Sequence, residues 1–439
     1  MAIAKLTNPP PTSGASNIRW SKVGLMLFIT YLVAYIDRTN MAIAAPSMIK
    51  ELGLTSSEMG LLLSAFFGGY VFSLAFAGIV VTRFGAKRSM VLALIVFGLA
   101  SASTGLTEDF AQLIAVRLLL GLGEGFVFPA ITIFFVKWFP AWERGRISGL
   151  CLLAIPISAL IMAPMGGWLI GSLGYKEMFV IQGIPPLIIA VLVAIMLKES
   201  PVHDASLNEK ERDYISAHTE DTTADTHDKG AIRGVYFNLR IWLIGLVYLL
   251  WMTGLYGFNQ WLPTLLSEAS GSGIEAVGLL TAIPFVFAAI GMVFAASASD
   301  KARSNRTPYV VLPIFIAGIA LLLQHFIGGG ITAQIVFLII AGVGIHAAFG
   351  PWWPWALNEV PANQTGYASS LVLTIGNFGG VIGPLLVGFL SGGKSIAQGG
   401  FYVLGYILIV AAILGCVIGY YNRFHKLSTK HPGLSSPQN

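Results

Sequence analysis

The chain has 439 residues, of which 55% are hydrophobic and only 11% are Asp, Glu, Lys or Arg. A soluble domain carries about 25% charged residues, so a soluble enzyme, a disordered protein and a disulfide scaffold are excluded. Apolar runs of roughly 20 residues, the length that crosses a bilayer, recur along the chain and predict an all-α integral membrane protein. The net charge of +5 comes from short loops, so no nucleic-acid partner is expected.

Twelve apolar segments are predicted, in two sets of six separated by a polar stretch. In chain order they lie near residues 20–45, 58–81, 88–106, 110–136, 145–172, 177–197, 241–266, 275–298, 307–328, 332–357, 364–391 and 398–422. The predicted domains are an N-terminal six-helix bundle at 1–197, a cytoplasmic linker at 198–240 and a C-terminal six-helix bundle at 241–439. The linker holds 15 charged residues, which indicates a solvated face, and a short amphipathic helix is expected around Leu207–Ile215.

The orientation follows from the positions of the basic residues, because cytoplasmic loops carry an excess of Lys and Arg. With the N-terminus in the cytoplasm, 21 Lys and Arg fall on that side and only Lys50, Lys176 and Lys394 fall on the other. We therefore expect a multi-pass protein of the plasma (inner) membrane with both termini in the cytoplasm. The expected surroundings are the lipid bilayer, and the expected state is a monomer.

The two halves resemble each other in sequence. Three ordered matches lie 218 to 221 residues apart: 78–88 with 296–306, 121–123 with 342–344, and Pro164 with Pro384. Matches in one order at nearly one spacing indicate a duplication. Parallel repeats of six helices, with a substrate site between them near the bilayer midplane, are a common plan of secondary transporters. The sequence thus predicts two pseudo-symmetric six-helix bundles.

The loop after segment 2 carries a family signature. Its sequence, Gly78…Arg83-Phe84-Gly85-Ala86-Lys87-Arg88, resembles the motif between spans 2 and 3 of the major facilitator superfamily. Thr82 stands where that family usually has Asp, and the second copy keeps the acid as Asp300. The resemblance implies that Arg83, Gly85, Arg88 and Asp300 act as gate or conformational residues.

Three further motifs resemble one branch of that superfamily, the anion:cation symporters. They are Tyr35-Ile36-Asp37-Arg38-Thr39-Asn40, Arg117-(x)3-Gly121-Leu122-Gly123-Glu124-Gly125 and Tyr256-Gly257-(x)3-Trp261-Leu262-Pro263. This resemblance, which covers essentially the whole chain, implies proton-coupled uptake of an organic anion. It implies that the acids at Asp37 and Glu124 carry protons and that Arg38 and Arg117 handle the substrate. Tyr35 and Tyr70 match positions that line the pocket, and Tyr256 of the third motif is a further candidate substrate-binding residue.

Elementary electrostatics leads to the same four charged residues. Each ionisable side chain at the centre of a membrane helix costs roughly 2.5–3.5 kcal/mol, so four cost on the order of 10 kcal/mol unless they pair or face water. Ionised, the four charges sum to zero, whereas protonation of both acids leaves two arginines that attract an anion. An alternative is that the charges form salt bridges that only hold segments 1 and 4 together.

Polar and aromatic residues in the second half complete the candidate site. Asn259, Gln260 and Asn377 are amides within apolar runs and are expected to read substrate hydroxyls, which favours a sugar acid. Trp353 is expected to wall the pocket, although its Trp-rich segment could instead form an interfacial belt. Aromatic carboxylates and dicarboxylates therefore stay open as substrates.

Two other functions deserve comparison with proton-coupled symport by alternating access. A facilitator or exporter of a neutral or cationic solute would gain nothing from two buried arginines. An integral-membrane enzyme would need a metal cluster, a nucleophile elbow or a phosphate loop, and the sequence carries none of these motifs. We expect no enzyme, no catalytic residue, no metal and no cofactor, with protons as the coupling ion.

Overall fold

The computed structural model describes residues 18–219, 229–302, 305–327, 330–358, 360–361, 364–392 and 399–430. Within this part of the chain, twelve helices are long and apolar enough to cross a membrane. Spans 1 to 12 are Arg19–Leu52, Ser56–Phe84, Ala86–Thr104, Phe110–Trp138, Trp142–Leu173, Tyr175–Met196, Leu239–Ser270, Ile274–Lys301, Thr307–Ile327, Ile331–Ala356, Thr365–Ser391 and Phe401–Tyr421. The predicted all-α membrane fold with twelve segments is confirmed.

Several spans are built from two helical pieces. Span 1 begins as a short π-helix, Arg19–Gly24, and continues as Leu25–Leu52. Spans 4, 5, 6 and 10 consist of Phe110–Glu124 with Val127–Trp138, Ala141–Leu152 with Ala154–Leu173, Tyr175–Gln182 with Ile184–Met196, and Ile331–Ala347 with Phe349–Ala356. Membrane helices tolerate such interruptions where neighbouring groups satisfy the freed backbone. The interruption in span 4 immediately follows Glu124, one of the predicted site residues.

The helices pack into two compact units. One comprises the described residues of Met1–Met48, Ala65–Thr226 and Ile274–Gly278, and the other those of Ile49–Ser64, His227–Gly273 and Leu279–Asn439. In the first unit, span 3 packs against spans 4 and 6. In the second, span 7 packs against spans 11 and 12, and span 9 against spans 10 and 12. The predicted domain limits at 197 and 241 stay a prediction.

Glycines bring spans 2 and 4 into close contact within the first unit. A methyl group on Gly121 would overlap the carbonyl oxygen of Phe66, and one on Gly69 would overlap that of Leu118. Small residues let membrane helices approach at this distance. The close approach matters for function because Phe66 and its neighbour Tyr70 then face the charged residues of span 4.

The first part of the linker packs on the first unit. Its helix runs Glu209–His218, so it begins and ends slightly later than the expected 207–215. It begins at Glu209 because the side chain of Asn208 accepts a hydrogen bond from the Glu211 amide at 2.7 Å and caps it. Leu207 and Ile215 are buried, and so are the acids Asp204 and Glu211. Glu209, Lys210 and Asp213 are exposed, as a solvated face predicts, whereas Asp204 and Glu211 are buried because they have basic partners in the first unit.

Arg19, at the start of span 1, supplies one of those partners. Its side chain makes a bidentate contact with Glu143, in which Nε donates to Oε2 at 3.0 Å and Nη2 donates to Oε1 at 2.8 Å. Its Nη1 and backbone amide both donate to Oε1 of Glu211, at 3.0 and 3.1 Å. The buried cluster therefore ties the linker helix to span 1 and to the start of span 5.

Glu199 makes a second attachment, to the start of span 3. Its carboxylate accepts from the amides of Ala86 and Lys87 at 3.0 and 2.8 Å and from Lys137 Nζ at 2.8 Å. Burial alone would raise the pKa of Glu199, but the hydrogen bonds from Lys137 and the two amides hold that pKa below its usual value. Gly85, the residue before these amides, has φ +89° and no side chain of its own to cap them.

Candidate functional site

Arg38 of span 1 and Glu124 of span 4 form a buried ion pair. Arg38 Nε donates to Glu124 Oε1, and the two residues are 6% and 1% exposed. Glu124 ends the first helical piece of span 4, so its side chain projects where the span is interrupted. The pair joins residues that lie 86 positions apart in the sequence.

Aromatic rings surround the Arg38 guanidinium. Its central carbon lies 4.4 Å from the ring centroid of Tyr70, 4.5 Å from that of Tyr35 and 5.6 Å from that of Phe66. Cations favour the faces of aromatic rings, and a planar guanidinium also stacks on them. The two tyrosines were named from the sequence, whereas Phe66 was missed because a Phe in an apolar helix carries no distinguishing signal.

Arg117 is enclosed without a hydrogen-bonding partner. It is 0% exposed, and none of its three side-chain nitrogens has an acceptor within the described part of the chain. Its guanidinium carbon lies 5.3 Å from the centroid of Phe66. Arg117 therefore offers a buried, positively charged fork whose donors are unused, which is the chemistry that recognises a carboxylate.

Asp37 uses only one of its two oxygens. Oδ1 accepts from Asn40 Nδ2 at 2.9 Å and from Ser101 Oγ at 2.5 Å, whereas Oδ2 is buried and has no donor among the described residues. Asn40 lies in the span 1 motif, three residues after Asp37, so helical spacing could have indicated this contact. Ser101 belongs to span 3 and carries no signal in the sequence.

The four ionised groups balance in charge but not in contacts. One direct ion pair joins Arg38 and Glu124, while Arg117, Asp37 Oδ2 and Glu124 Oε2 keep unused hydrogen-bonding capacity. A buried charge that lacks a partner is destabilising by several kcal/mol. Among the described residues one salt bridge, rather than a pair, joins spans 1 and 4, and the other groups of the cluster keep donors and acceptors unused.

The predicted residues of the second half lie in the other compact unit. Trp353 is half-buried, and its ring centroid lies 5.7 Å from that of Tyr248, which itself stacks on Trp352 at 4.9 Å. The sequence identified Trp353 but missed Tyr248. Tyr248 and Trp352 are buried, so of these three rings only Trp353 keeps accessible surface for an apolar or planar part of a ligand.

The amides in this unit differ in how far their hydrogen bonds are satisfied. Asn377 is buried, and its Nδ2 donates to the carbonyl of Leu373 at 2.8 Å, so that donor is engaged by its own helix. Asn259 Oδ1 is buried with no donor among the described residues, which leaves it able to accept from a hydroxyl. Gln260 is buried and Tyr256 is half-buried in the same span.

The predicted gate residues occupy the ends of the spans. Arg83 and Arg88 are exposed on either side of Gly85, whose positive φ a residue with a side chain adopts only with strain. Asp300, in the matching loop of the second half, pairs with Arg306 at 3.5 Å. Thr82, at the position where an acid was expected, donates its hydroxyl to the Gly78 carbonyl of its own helix at 2.8 Å.

Comparison with known proteins assigns the family. The family model of the Major Facilitator Superfamily matches residues 27–384. The chain belongs to the Major Facilitator Superfamily. The resemblance inferred from the sequence motifs is confirmed, and the protein is a multi-pass membrane transporter rather than an enzyme.

Individual relatives extend over nearly the whole chain. It is 30% identical to a putative tartrate transporter of Agrobacterium vitis over 89% of this chain and 88% of the relative. It is 27% identical to the hexuronate transporter of Bacillus subtilis over 89% of this chain and 92% of the relative. The crystal structure of a bacterial homolog of the human lysosomal transporter Spinster matches with a TM-score of 0.77 and 17% identity, over 92% of this chain and 98% of that one. This structural match concerns the fold alone.

Proposed function

We propose that this transporter is a symporter that couples proton entry to the uptake of a small organic carboxylate, with a sugar acid as the favoured substrate. The single observation that carries the proposal is the enclosed Arg117, whose donors have no acceptor among the described residues, beside two acids with unused oxygens. Two relatives are named as transporters of tartrate and of hexuronate, which are hydroxylated carboxylates. Their substrates support this class for the present chain.

The proposed coupling is electrostatic. When Asp37 and Glu124 are ionised, Glu124 holds Arg38 and the cluster is neutral, so the empty carrier can reorient within the membrane. Protonation of both acids removes their charges and frees the arginines, which then bind a carboxylate in bidentate geometry. In this scheme the loaded carrier is neutral when it takes up one proton for each substrate carboxylate, so protonation of both acids matches a dicarboxylate. Any other loading leaves uncompensated charge, which opposes reorientation within the membrane.

The neutral part of the substrate is assigned to the second half. Asn259, with an unused carbonyl oxygen, supports recognition of a hydroxyl group, and Gln260 and Asn377 stay predicted members of this set. Recognition of hydroxyl groups by these amides supports a sugar acid as the substrate class. The half-buried ring of Trp353, which packs against the buried Tyr248, favours an aromatic carboxylate as the second candidate.

Uptake by proteoliposomes tests the proposal. Vesicles with an imposed inward proton gradient are supplied with labelled tartrate, galacturonate or benzoate, with and without a protonophore. We expect gradient-dependent accumulation of at least one carboxylate, and none in Arg117→Gln. Arg146→Gln is the matched control, because Arg146 is an exposed arginine and its loss leaves the site intact.

The possible outcomes separate the candidates. Preference for galacturonate or tartrate over benzoate supports the sugar-acid assignment, and the reverse supports the aromatic candidate. Accumulation that ignores the protonophore would contradict proton coupling. Full activity of Arg117→Gln would show that the cluster only holds spans 1 and 4 together.

A further inference from the structure

We infer that Ser101 of span 3 is a positioning residue of the proton-binding site at Asp37. The Ser101 hydroxyl donates to one oxygen of the Asp37 carboxylate, so the proton binds the other oxygen. The inference rests on the proposed function in one respect, that Asp37 takes up a proton during the cycle. It adds span 3 to the proton-binding groups, whose acids the sequence placed on spans 1 and 4. Ser101 is 0% exposed and Asp37 is 2% exposed, so water does not compete freely for this contact.

Ser101 donates its hydroxyl to a charged side chain of another span, whereas the buried Ser64 donates across to a backbone carbonyl, that of Val381, at 2.9 Å. Ser73, Ser158 and Ser391 each return the hydroxyl to a carbonyl of their own helix, at 3.0, 2.7 and 2.7 Å. This is the ordinary way to satisfy a serine inside a helix. Ser101 instead donates across to Asp37 Oδ1 at 2.5 Å, a contact between residues 64 positions apart.

The donors around Asp37 determine which oxygen is protonated. The Asn40 amide nitrogen can only donate, and it donates to Oδ1, the oxygen that Ser101 also contacts. Oδ1 therefore remains an acceptor in both protonation states. The incoming proton binds Oδ2, which has no donor among the described residues, and forms a neutral carboxylic acid without breaking either hydrogen bond.

The charged groups that act on Asp37 connect this step to the substrate site. Arg117 and Glu124 of span 4 and Arg38 of span 1 interact electrostatically with Asp37, and span 3 contributes the uncharged Ser101. Protonation of Oδ2 removes the negative charge that acts on Arg117. Ser101 stabilises the ionised carboxylate of Asp37. It therefore sets the pH at which Asp37 becomes protonated and its negative charge stops acting on Arg117.

An infrared pH titration of the detergent-purified carrier tests the inference without any substrate. The carbonyl stretch of a protonated carboxyl group is followed from pH 4 to 9 and assigned to Asp37 by its loss in Asp37→Asn. In Ser101→Ala we expect the titration midpoint to rise by about one pH unit, since the hydrogen bond to the ionised carboxylate is stronger than the same bond to the neutral acid by a factor of about ten. Ser101→Thr keeps the hydroxyl and should restore the midpoint, and Ser158→Ala should leave it unchanged.

Several results would overturn the inference. An unchanged midpoint in folded Ser101→Ala, or an equal rise in Ser158→Ala, would show that Ser101 is only a packed serine. If Ser101→Ala does not purify as a folded monodisperse protein, Ser101→Cys replaces it, because a thiol is a much weaker donor and should raise the midpoint in the same direction. An unchanged midpoint there contradicts the proposal. Uptake without pH dependence in the unaltered protein would instead contradict the proposed function and leave the infrared result standing.

Discussion

Replacing Glu124 by Gln separates substrate binding from proton coupling. Gln keeps the size of the side chain and an oxygen that can accept from Arg38 Nε, but it cannot ionise. The cluster then carries a permanent excess positive charge, as it would with Glu124 protonated. We expect the carrier to bind its carboxylate and to exchange internal for external substrate, because exchange requires only the loaded form to reorient.

The magnitude follows from the contact between Arg38 and Glu124. A hydrogen bond between charged groups contributes about 1.5–3 kcal/mol and a neutral one about 0.5–1.5 kcal/mol. The substitution therefore weakens the hold on Arg38 by about 1.4 kcal/mol, which is a factor of ten in an equilibrium constant. At a pH where the unaltered protein is ionised, Glu124→Gln should bind the carboxylate about tenfold more tightly, and the affinity should depend less on pH.

The assay pairs two transport measurements on one preparation. Proteoliposomes with Glu124→Gln are tested for accumulation driven by a pH gradient and for counterflow of labelled substrate against a preloaded pool. Counterflow should persist and accumulation should fall close to background, because the empty carrier can no longer return uncharged. Glu108→Gln serves as the control, since Glu108 is an exposed acid in the loop before span 4. Retained accumulation, or loss of both activities in a folded variant, would refute the assignment of Glu124.

Three further results are expected. Arg38→Lys should accumulate as little substrate as Arg38→Ala in the same assay, because lysine lacks the planar fork that lies between Tyr35 and Tyr70, and near-normal uptake would contradict this role. Glu211→Ala should lower the free energy of unfolding by about 1.5–3 kcal/mol, because Arg19 loses a buried charged acceptor. The control is Glu209→Ala, at an exposed neighbouring position, which should change the free energy of unfolding little. Thermal or denaturant unfolding measures both variants. The pKa of Glu199 is lowered in the folded state, so its stabilising contacts are complete above its unfolded-state pKa of about 4.3 and are lost as the pH falls through the lower folded-state value. Glu199→Gln should therefore flatten the acid limb of a curve of Tm against pH. An unchanged acid limb would show that this cap does not stabilise the fold.

The sequence determined the membrane fold because the bilayer imposes a one-dimensional rule. Each crossing needs about 20 apolar residues, so the twelve spans can be counted along the chain without knowing how they pack. The same rule draws attention to Asp37, Arg38, Arg117 and Glu124, since charged residues inside such runs are rare and expensive. The short motifs around them were enough to indicate the family.

Only the tertiary structure decided which of these groups meet. Arg38 pairs with Glu124 across 86 residues, Asp37 is held by Ser101 across 64, and Arg117 has no acceptor among the described residues. Apolar periodicity does not report such contacts, because a serine in a small-residue helix looks the same whether it bonds to its own backbone or to a neighbouring span.

The linker shows the same limit outside the membrane. Its composition indicated a solvated segment, yet Glu211 is 0% exposed because Arg19, 192 residues away, lies against it. A charge count along the chain records how many charges a segment carries but not whether partners exist in three dimensions. Hydrophobic length is a property of a segment alone, whereas the partner of a polar group depends on how the helices pack. The spans could therefore be predicted from the sequence, and the contacts within the site could not.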